Sequence, residues 1–276
     1  MTVRVLESGV RTMKTVIGIN GACGRMGVRI VQLAHEDQEL TIGAALESLE
    51  NPHQGQDIGE IAGLGPLSVL VTDRLPLEKR FHVVIDFSQP EGTMAILPTC
   101  VDRKIPIVVA TTGHTKGQKE EIEAAAHYTA VLMAPNMSLA VNVLMKLAGQ
   151  TGALLKGKGF DVEILERHHR FKKDSPSGTA LHFARIIQEA MGQTHLRHGR
   201  EGLVGERPAQ EIGLHAIRVG DNVGEHTILF STLGETLELT HRAHTRDCYV
   251  RGALQAAKFL ADRPAGRYSM DDVLGL

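Results

Sequence analysis

Lys14-Thr-Val-Ile-Gly-Ile-Asn20, followed at once by Gly21-Ala-Cys-Gly-Arg-Met-Gly27, decides how this chain folds. Lys14–Asn20 is short and mostly apolar and reads as a buried strand. After the glycines, Val28–Ala34 continues as a helix with Ile30, Val31 and Leu33 available for packing. Strand, glycine turn and helix in succession open a mostly parallel, helix-covered sheet. Glycine lets backbone approach a pyrophosphate closely, and free N–H groups at a helix start bind its charge. The spacing is G-x-x-G-x-x-G rather than G-x-G-x-x-G. The turn therefore reads either as a dinucleotide site or as a tight strand–helix turn without a ligand.

Moving outward, Leu40–Leu46 is a second strand ending at Glu47, twenty residues after Gly27. An acid there either accepts from ribose hydroxyls or is a solvated strand end. Arg25 either meets a phosphate or covers the turn. Ser48 and Leu49 follow Glu47 with no cation among them, which favours NADH over NADPH. Residues 50–66 read as loop or short helix. Val83–Phe87 is a strand whose Ser88-Gln-Pro-Glu turn leads into a helix. Ile105–Ala110, a helix over Gly117–Ala126, and Ala130–Met133 continue the alternation. Ligands of such sheets bind beyond the carboxyl ends of the strands. Thr111, Thr112 and Gly113 thus either line a nicotinamide ribose or form a plain turn. Asn136 either orients the carboxamide or pins an interdomain hinge.

The pattern then changes. Ser138–Ala148 reads as a helix, Asp161–Glu166 as a strand and Ser177–Met191 as a long helix, while residues 192–211 show little periodicity. Strand-like runs at Gly213–Val219, His226–Ser231 and Thr236–His241 predict an antiparallel or mixed sheet. Arg251–Ala261 is an Ala-rich helix that returns to the first domain. The expected organisation is a flexible extension over 1–13, a dinucleotide-binding domain over 14–136 and 248–276, and a substrate domain over 137–247.

The substrate domain holds the densest chemistry, Glu166-Arg-His-His-Arg-Phe-Lys-Lys-Asp-Ser-Pro-Ser-Gly-Thr-Ala180. Adjacent residues on extended backbone point oppositely, so one of His168 and His169 faces a cleft and the other supports it. Histidine titrates near neutrality, and Lys172 supplies a point charge or a proton. Asp174 can orient a basic partner. Ser177 is an N-cap that leaves the N–H groups of Gly178 and Thr179 to hold a carboxylate. The alternative is a solvated basic turn before a capped helix. Lys173 reads as surface charge, and His241 and His244 as polar surface or pocket wall.

Bulk properties narrow the function classes. The 276 residues suit one large domain or two modest ones, and a net charge of −2 gives no bulk case for nucleic acid or a membrane. Three scattered cysteines, Cys23, Cys100 and Cys248, suggest a reducing compartment, hence the cytoplasm. Met1–Thr12 lacks the apolar core of a signal peptide. No metal-ligand spacing, nucleophile elbow or P-loop occurs.

Five landmarks carry a resemblance: Gly21–Gly27, Ala110-Thr-Thr-Gly113, Ala134-Pro-Asn-Met-Ser138, Glu166–Ala180 and Val223-Gly-Glu-His226. From about Lys14 onward the chain resembles the 4-hydroxy-tetrahydrodipicolinate reductase (dihydrodipicolinate reductase) family. The resemblance implies an α/β protein: an N-terminal Rossmann-type doubly wound parallel sheet plus an inserted α+β substrate and oligomerisation domain with an open mixed sheet. It also implies NADH- or NADPH-dependent reduction of a small dicarboxylate, with loss of water, in lysine and diaminopimelate biosynthesis, by a homotetramer. By motif, His168 matches the catalytic acid/base and Lys172 the proton donor. His169, Gly178 and Thr179 match substrate-binding positions, with Ser177 beside them. Gly21, Ala22, Cys23, Gly24, Arg25, Met26, Glu47, Ala110, Thr111, Thr112, Ala134, Pro135, Asn136 and Met137 match cofactor contacts. Ser48 stands where many relatives carry arginine, Met137 where phenylalanine is common, and Ala140 where glycine is common. The rival readings are an aspartate or homoserine dehydrogenase and a non-enzymatic NADH sensor.

Overall fold

The computed structural model describes residues 14–276, so the expected extension over 1–13 lies outside them. In chain order the elements are β1 (Thr15–Asn20), α1 (Arg25–Glu36), β2 (Leu40–Leu46), α2 (Ile58–Ile61), β3 (Val71–Thr72), β4 (Val83–Asp86), α3 (Pro90–Asp102), β5 (Ile107–Val109), α4 (Lys116–Ala125) and β6 (Ala130–Met133). There follow α5 (Leu139–Leu155), β7 (Asp161–His168), α6 (Gly178–Met191), β8 (His195–His198), β9 (Glu211–Arg218), β10 (Gly224–Thr232), β11 (Glu235–Ala243), α7 (Asp247–Leu260), β12 (Gly266–Tyr268) and α8 (Met270–Leu274).

The chain divides into two compact units. One runs to Met133 and takes in Leu254–Tyr268; the other is Ala134–Ala253 with Ser269–Leu276. The sequence expectation put all of 248–276 with the first unit. Residues 134–136, 248–253 and 269–276 fall in the second unit instead; in the last of these Met270 is buried and Asp271 meets Lys146 of α5, which ties α8 to the second unit.

The first unit holds a seven-stranded sheet in the order β12-β6-β5-β4-β1-β2-β3, parallel throughout. β1 lies between β2 and β4, so the direction of winding reverses there and a crevice opens at the carboxyl ends of these strands. Its buried rows are Leu46, Val84, Ile107 and Val131, packed with Ile96 and Leu97 of α3. Helix starts follow local chemistry: Pro90 occupies the first turn of α3, and Thr115 with Gln118 forms a reciprocal capping box on α4.

The second unit holds a mixed five-stranded sheet in the order β11-β10-β7-β9-β8. β7 pairs antiparallel with β10 and parallel with β9. Its inward rows, Val162, Ile164, Ile212, Leu214, Ile228 and Phe230, pack against Leu144 and Ala148 of α5 and Phe183, Ala184 and Ile187 of α6. α6 starts at the Ser177 cap and stops at Gly192, whose φ of +92° is the left-handed conformation that ends helices. β8 lies in the stretch that shows little periodicity; it is short, with three of its four residues exposed, so no alternation marks it. Among the described residues no helix is long and apolar enough to cross a membrane, and no cluster of three or more potential ligands could hold a metal ion.

Candidate functional site

In the first unit the glycine turn closes one end of a cavity of about 880 Å³ at the carboxyl ends of β1, β2 and β4. Gly21 adopts φ +79°, and a Cβ on Gly27 would lie 2.1 Å from the Gly21 carbonyl oxygen. No other residue allows this backbone crossing. The Gly24 cap of α1 brings no side-chain hydrogen bond, so the first turn presents bare N–H groups. Gly21, Cys23, Gly24 and Glu47 line the cavity, with Ser48, Ser88 and Arg74. Glu47 Oε1 accepts the Cys23 N–H at 2.9 Å, which ties the turn to the end of β2. Burial, with the Glu47 charge added, pushes the Cys23 thiol up to about 11, so it stays protonated at neutral pH.

Below this cavity lies a polar network. Asp86, fully buried, accepts from Asn20 Nδ2 at 2.8 Å, Ser88 Oγ at 2.5 Å and Thr93 Oγ1 at 2.6 Å. His114 bonds the same threonine at 3.0 Å, and Thr111 Oγ1 accepts the Ser88 N–H at 2.9 Å. Thr111 therefore braces the Ser88 loop from beneath, while Thr112 is exposed. Ala22 is buried under the turn and Ala110 at the end of β5. Arg25 and Met26 form the first turn of α1.

In the second unit, side chains two apart on β7 share one face. The row Val162-Ile164-Glu166-His168 starts apolar and turns polar while staying buried. The strand extends two residues beyond the expected Asp161–Glu166 because Arg167 and His168 pair with Ile217 and Arg218 of β9. His168 thus ends the strand facing inward rather than following it. Glu166, 1% exposed, is the hub. It accepts from His168 Nδ1, from Arg218 at 2.9 and 2.7 Å, and from the Ser177 N–H at 3.0 Å. Burial alone would raise its pKa, but these bonds from His168, Arg218 and Ser177 hold it down at about 2.

His226 stands across the strand from Glu166 and edge-on to His168, ring centroids 5.3 Å apart. Burial, with His168 beside it, pushes its pKa down to about 3, so it is neutral. A Cβ on Gly224 would lie 3.1 Å from His168 Nε2. Lys172 Nζ pairs with Asp174 at 2.9 Å, so Lys172 is the basic partner of Asp174. His169 sits in the turn after the strand. Burial first, then Arg246, His168, Lys172 and Arg218, pull its pKa down.

At the start of α6, Ser177 Oγ accepts the Ala180 N–H at 3.2 Å, and a Cβ on Gly178 would meet nothing within 4 Å. The helix end is therefore both capped and open. Asn136 Nδ2 donates to Thr179 Oγ1 at 3.3 Å, and Asn136 Oδ1 takes the Ser138 N–H. The Ala134–Met137 segment thus belongs with the helix start in this unit; Ala134 and Met137 are buried and Pro135 is exposed.

Sequence reasoning gave no role to Asp86, Glu166, Arg218 or His226. Glu166 had a readable signal, its two-residue spacing from His168. Arg218 had none, because it depends on the pairing of β7 with β9.

A family model described as the N-terminus of dihydrodipicolinate reductase matches residues 15–137, and its C-terminal counterpart matches 140–274. A 4-hydroxy-tetrahydrodipicolinate reductase of Rhodopirellula baltica is 48% identical over 266 residues, 94% of this chain and 95% of the relative. Another, of Syntrophotalea carbinolica, is 44% identical over 264 residues, 94% and 98% of the two chains. The fold is also that of a dipicolinate-bound dihydrodipicolinate reductase from Paenisporosarcina sp. TG-14, with a TM-score of 0.74 at 24% identity over 93% of this chain and 98% of that one. Matched from β1 to α8 and nearly half identical to full-length relatives, this chain belongs to the dihydrodipicolinate reductase family.

Proposed function

We propose that the protein reduces 4-hydroxy-tetrahydrodipicolinate to tetrahydrodipicolinate, with loss of water, using NADH or NADPH. The observation that carries this reading is the grouping, within one unit, of an anchored imidazole, an ammonium and an open helix start. Those groups suit a small molecule bearing two carboxylates. When bound, the reduced nicotinamide supplies a hydride. Gly21–Met26, Glu47, Ala110, Thr111 and Thr112 of the first unit would hold the dinucleotide; by family motif Ala134–Met137 are also cofactor contacts. The bare N–H groups of α1 meet its phosphates. Ser177, Gly178 and Thr179 grip one carboxylate of the substrate, and His169 binds it too. His168 and Lys172 supply the proton that balances the hydride.

NADH is the favoured cofactor. Glu47 would repel a 2′-phosphate, and Arg74 in the same cavity already pairs with Asp73 at 2.8 Å. The assembly is a homotetramer joined through the five-stranded sheet. Its face away from α5 and α6 carries Leu165, Ile217 and Leu229, and Ile217 is 39% exposed. The three cysteines are free, in keeping with a cytoplasmic protein.

The test is an initial-rate assay with freshly generated substrate and each cofactor in turn, on wild type, His168→Ala and Lys172→Ala. Each substitution should lower turnover by about a hundredfold, the scale of a lost general acid, with NADH binding retained. Unchanged turnover in both variants would overturn the assignment. A preference of more than about tenfold for NADPH, some 1.4 kcal/mol, would overturn the cofactor reading. Light scattering that gives a mass other than four chains would overturn the assembly.

A further inference from the structure

If His168 is the proton source and the start of α6 the carboxylate cradle, one buried carboxylate touches both. We infer that Glu166 is a positioning residue: it fixes the His168 ring with its proton on Nδ1, leaves Nε2 as the working nitrogen, and sets that ring against the cradle, with Arg218 as the tether. The inference rests on the functional reading above.

Donors and acceptors around Glu166 can be counted. Glu166 Oε2 accepts from His168 Nδ1 and from Arg218 Nη1 at 2.9 Å; Oε1 accepts from Arg218 Nη2 at 2.7 Å and from the Ser177 N–H at 3.0 Å. Guanidinium and backbone N–H groups can only donate. A carboxylate clamped by a guanidinium on both oxygens is ionised and has no proton to give. The bond to His168 therefore needs a hydrogen on Nδ1. Only Nε2 is then free to gain or lose a proton. As imidazolium it releases the Nε2 proton and remains a neutral ring with Nδ1–H intact. Gly224 leaves that edge of the ring room, since a Cβ there would lie 3.1 Å from Nε2.

The same carboxylate holds the Ser177 N–H, and Ser177 caps the helix whose open start is the cradle. Proton source and cradle thus hang from two oxygens of one side chain. Arg218 extends the frame. It donates to the Asp174 carbonyl at 2.8 Å, and the Asp174 carboxylate pairs with Lys172. Burying such a pair is a poor route to stability, because apolar residues of similar volume commonly do as well. Its use here is geometric: it places two proton donors and a helix start relative to one another.

Replacing Glu166 with glutamine makes the reasoning testable. The glutamine oxygen can serve only one side of the four donors, and its NH2 must face the other. A backbone N–H cannot become an acceptor, whereas an imidazole Nδ1 can. The NH2 therefore turns to His168 and reverses its tautomer.

The experiment is solid-state 15N NMR of the full chain labelled at histidine, with His168 assigned from the signals lost in His168→Asn, alongside kinetics of Glu166→Gln and Glu166→Asp. Wild type should show His168 protonated on Nδ1. Glu166→Gln should show Nε2–H with an unprotonated Nδ1, a fall in kcat of about tenfold or more, and a KM for NADH within about twofold. Glu166→Asp keeps the charge and should restore Nδ1–H and part of kcat. A wild-type His168 carrying its proton on Nε2 alone would overturn the proposal, even if the variants fail to fold. So would Glu166→Gln with the Nδ1–H form and undiminished kcat. The tautomer is read without substrate, so a protein with the expected spectrum but no reductase activity would refute the functional reading and leave the positioning role standing.

Discussion

Glu166 also makes the stability of the second unit respond to acid in a way that can be worked out beforehand. Its ordinary carboxyl pKa of 4.5 falls to about 2 in the folded chain. At roughly 1.4 kcal/mol per tenfold, that difference favours folding at neutral pH by about 3.5 kcal/mol relative to a protonated Glu166. The sign follows from proton binding. The depressed group stabilises the fold above pH 4.5, where both states are ionised. Between pH 4.5 and 2 the unfolded chain takes up a proton that the folded chain does not, and the contribution drains away. At pH 3 about 1.5 kcal/mol remains. Glu166→Gln has no such group, so its stability should lack this part of the pH dependence. In urea unfolding followed by circular dichroism, the stability of wild type minus that of the variant should shrink by about 2 kcal/mol from pH 7 to pH 3. The absolute cost of the substitution drops out of this difference. Curves that run parallel to within about 0.5 kcal/mol would show that the carboxylate is not held ionised by His168, Arg218 and Ser177, and the donor count would fail with it.

Three other outcomes follow from distances and burial. Gly27→Ala places a Cβ 2.1 Å from the Gly21 carbonyl oxygen and must open the turn; NADH affinity measured by calorimetry should fall by about tenfold or more, the scale of a 1–3 kcal/mol overpacking strain. With its thiol held up at about 11, Cys23 should react with iodoacetamide at pH 8 roughly a hundredfold more slowly than an ordinary thiol; rapid labelling in a peptide-mapped time course would contradict this. Gly224→Ala presses on the Nε2 edge of His168 and should lower kcat several-fold, a small part of a general acid's contribution, while leaving the melting temperature and NADH affinity nearly unchanged; a loss of NADH affinity instead would point away from His168.

Much of the first unit was legible because its signals are local. Lys14–Gly27 carries an apolar run and three glycines, and parallel strands buried on both faces show as apolar runs such as Val83–Phe87 and Ile105–Ala110. The elements missed there, β3 and β12, have two and three residues and too little pattern to stand out. In the second unit the Ser177 cap was readable from its own residue type, and a role for Asp174 beside a base from the lysines next to it, the partner being Lys172. The clamp behind His168 was not. Glu166, Arg218 and His226 lie up to sixty positions apart and meet only because β7 pairs with β9 on one side and β10 on the other.

By itself, then, the order of residues determined the glycine turn, the alternation of strands and helices, and the chemical groups gathered between Glu166 and Ala180. These depend on neighbours in sequence, on backbone freedom at Gly21 and on the short reach of a capping hydroxyl. Only the tertiary structure decided which nitrogen of His168 is held, that Asp86 braces the loop beneath the cavity, and that Asn136 stands against Thr179. Those outcomes rest on strand register and on the rule that a buried charge or amide must find its partners wherever the fold brings them.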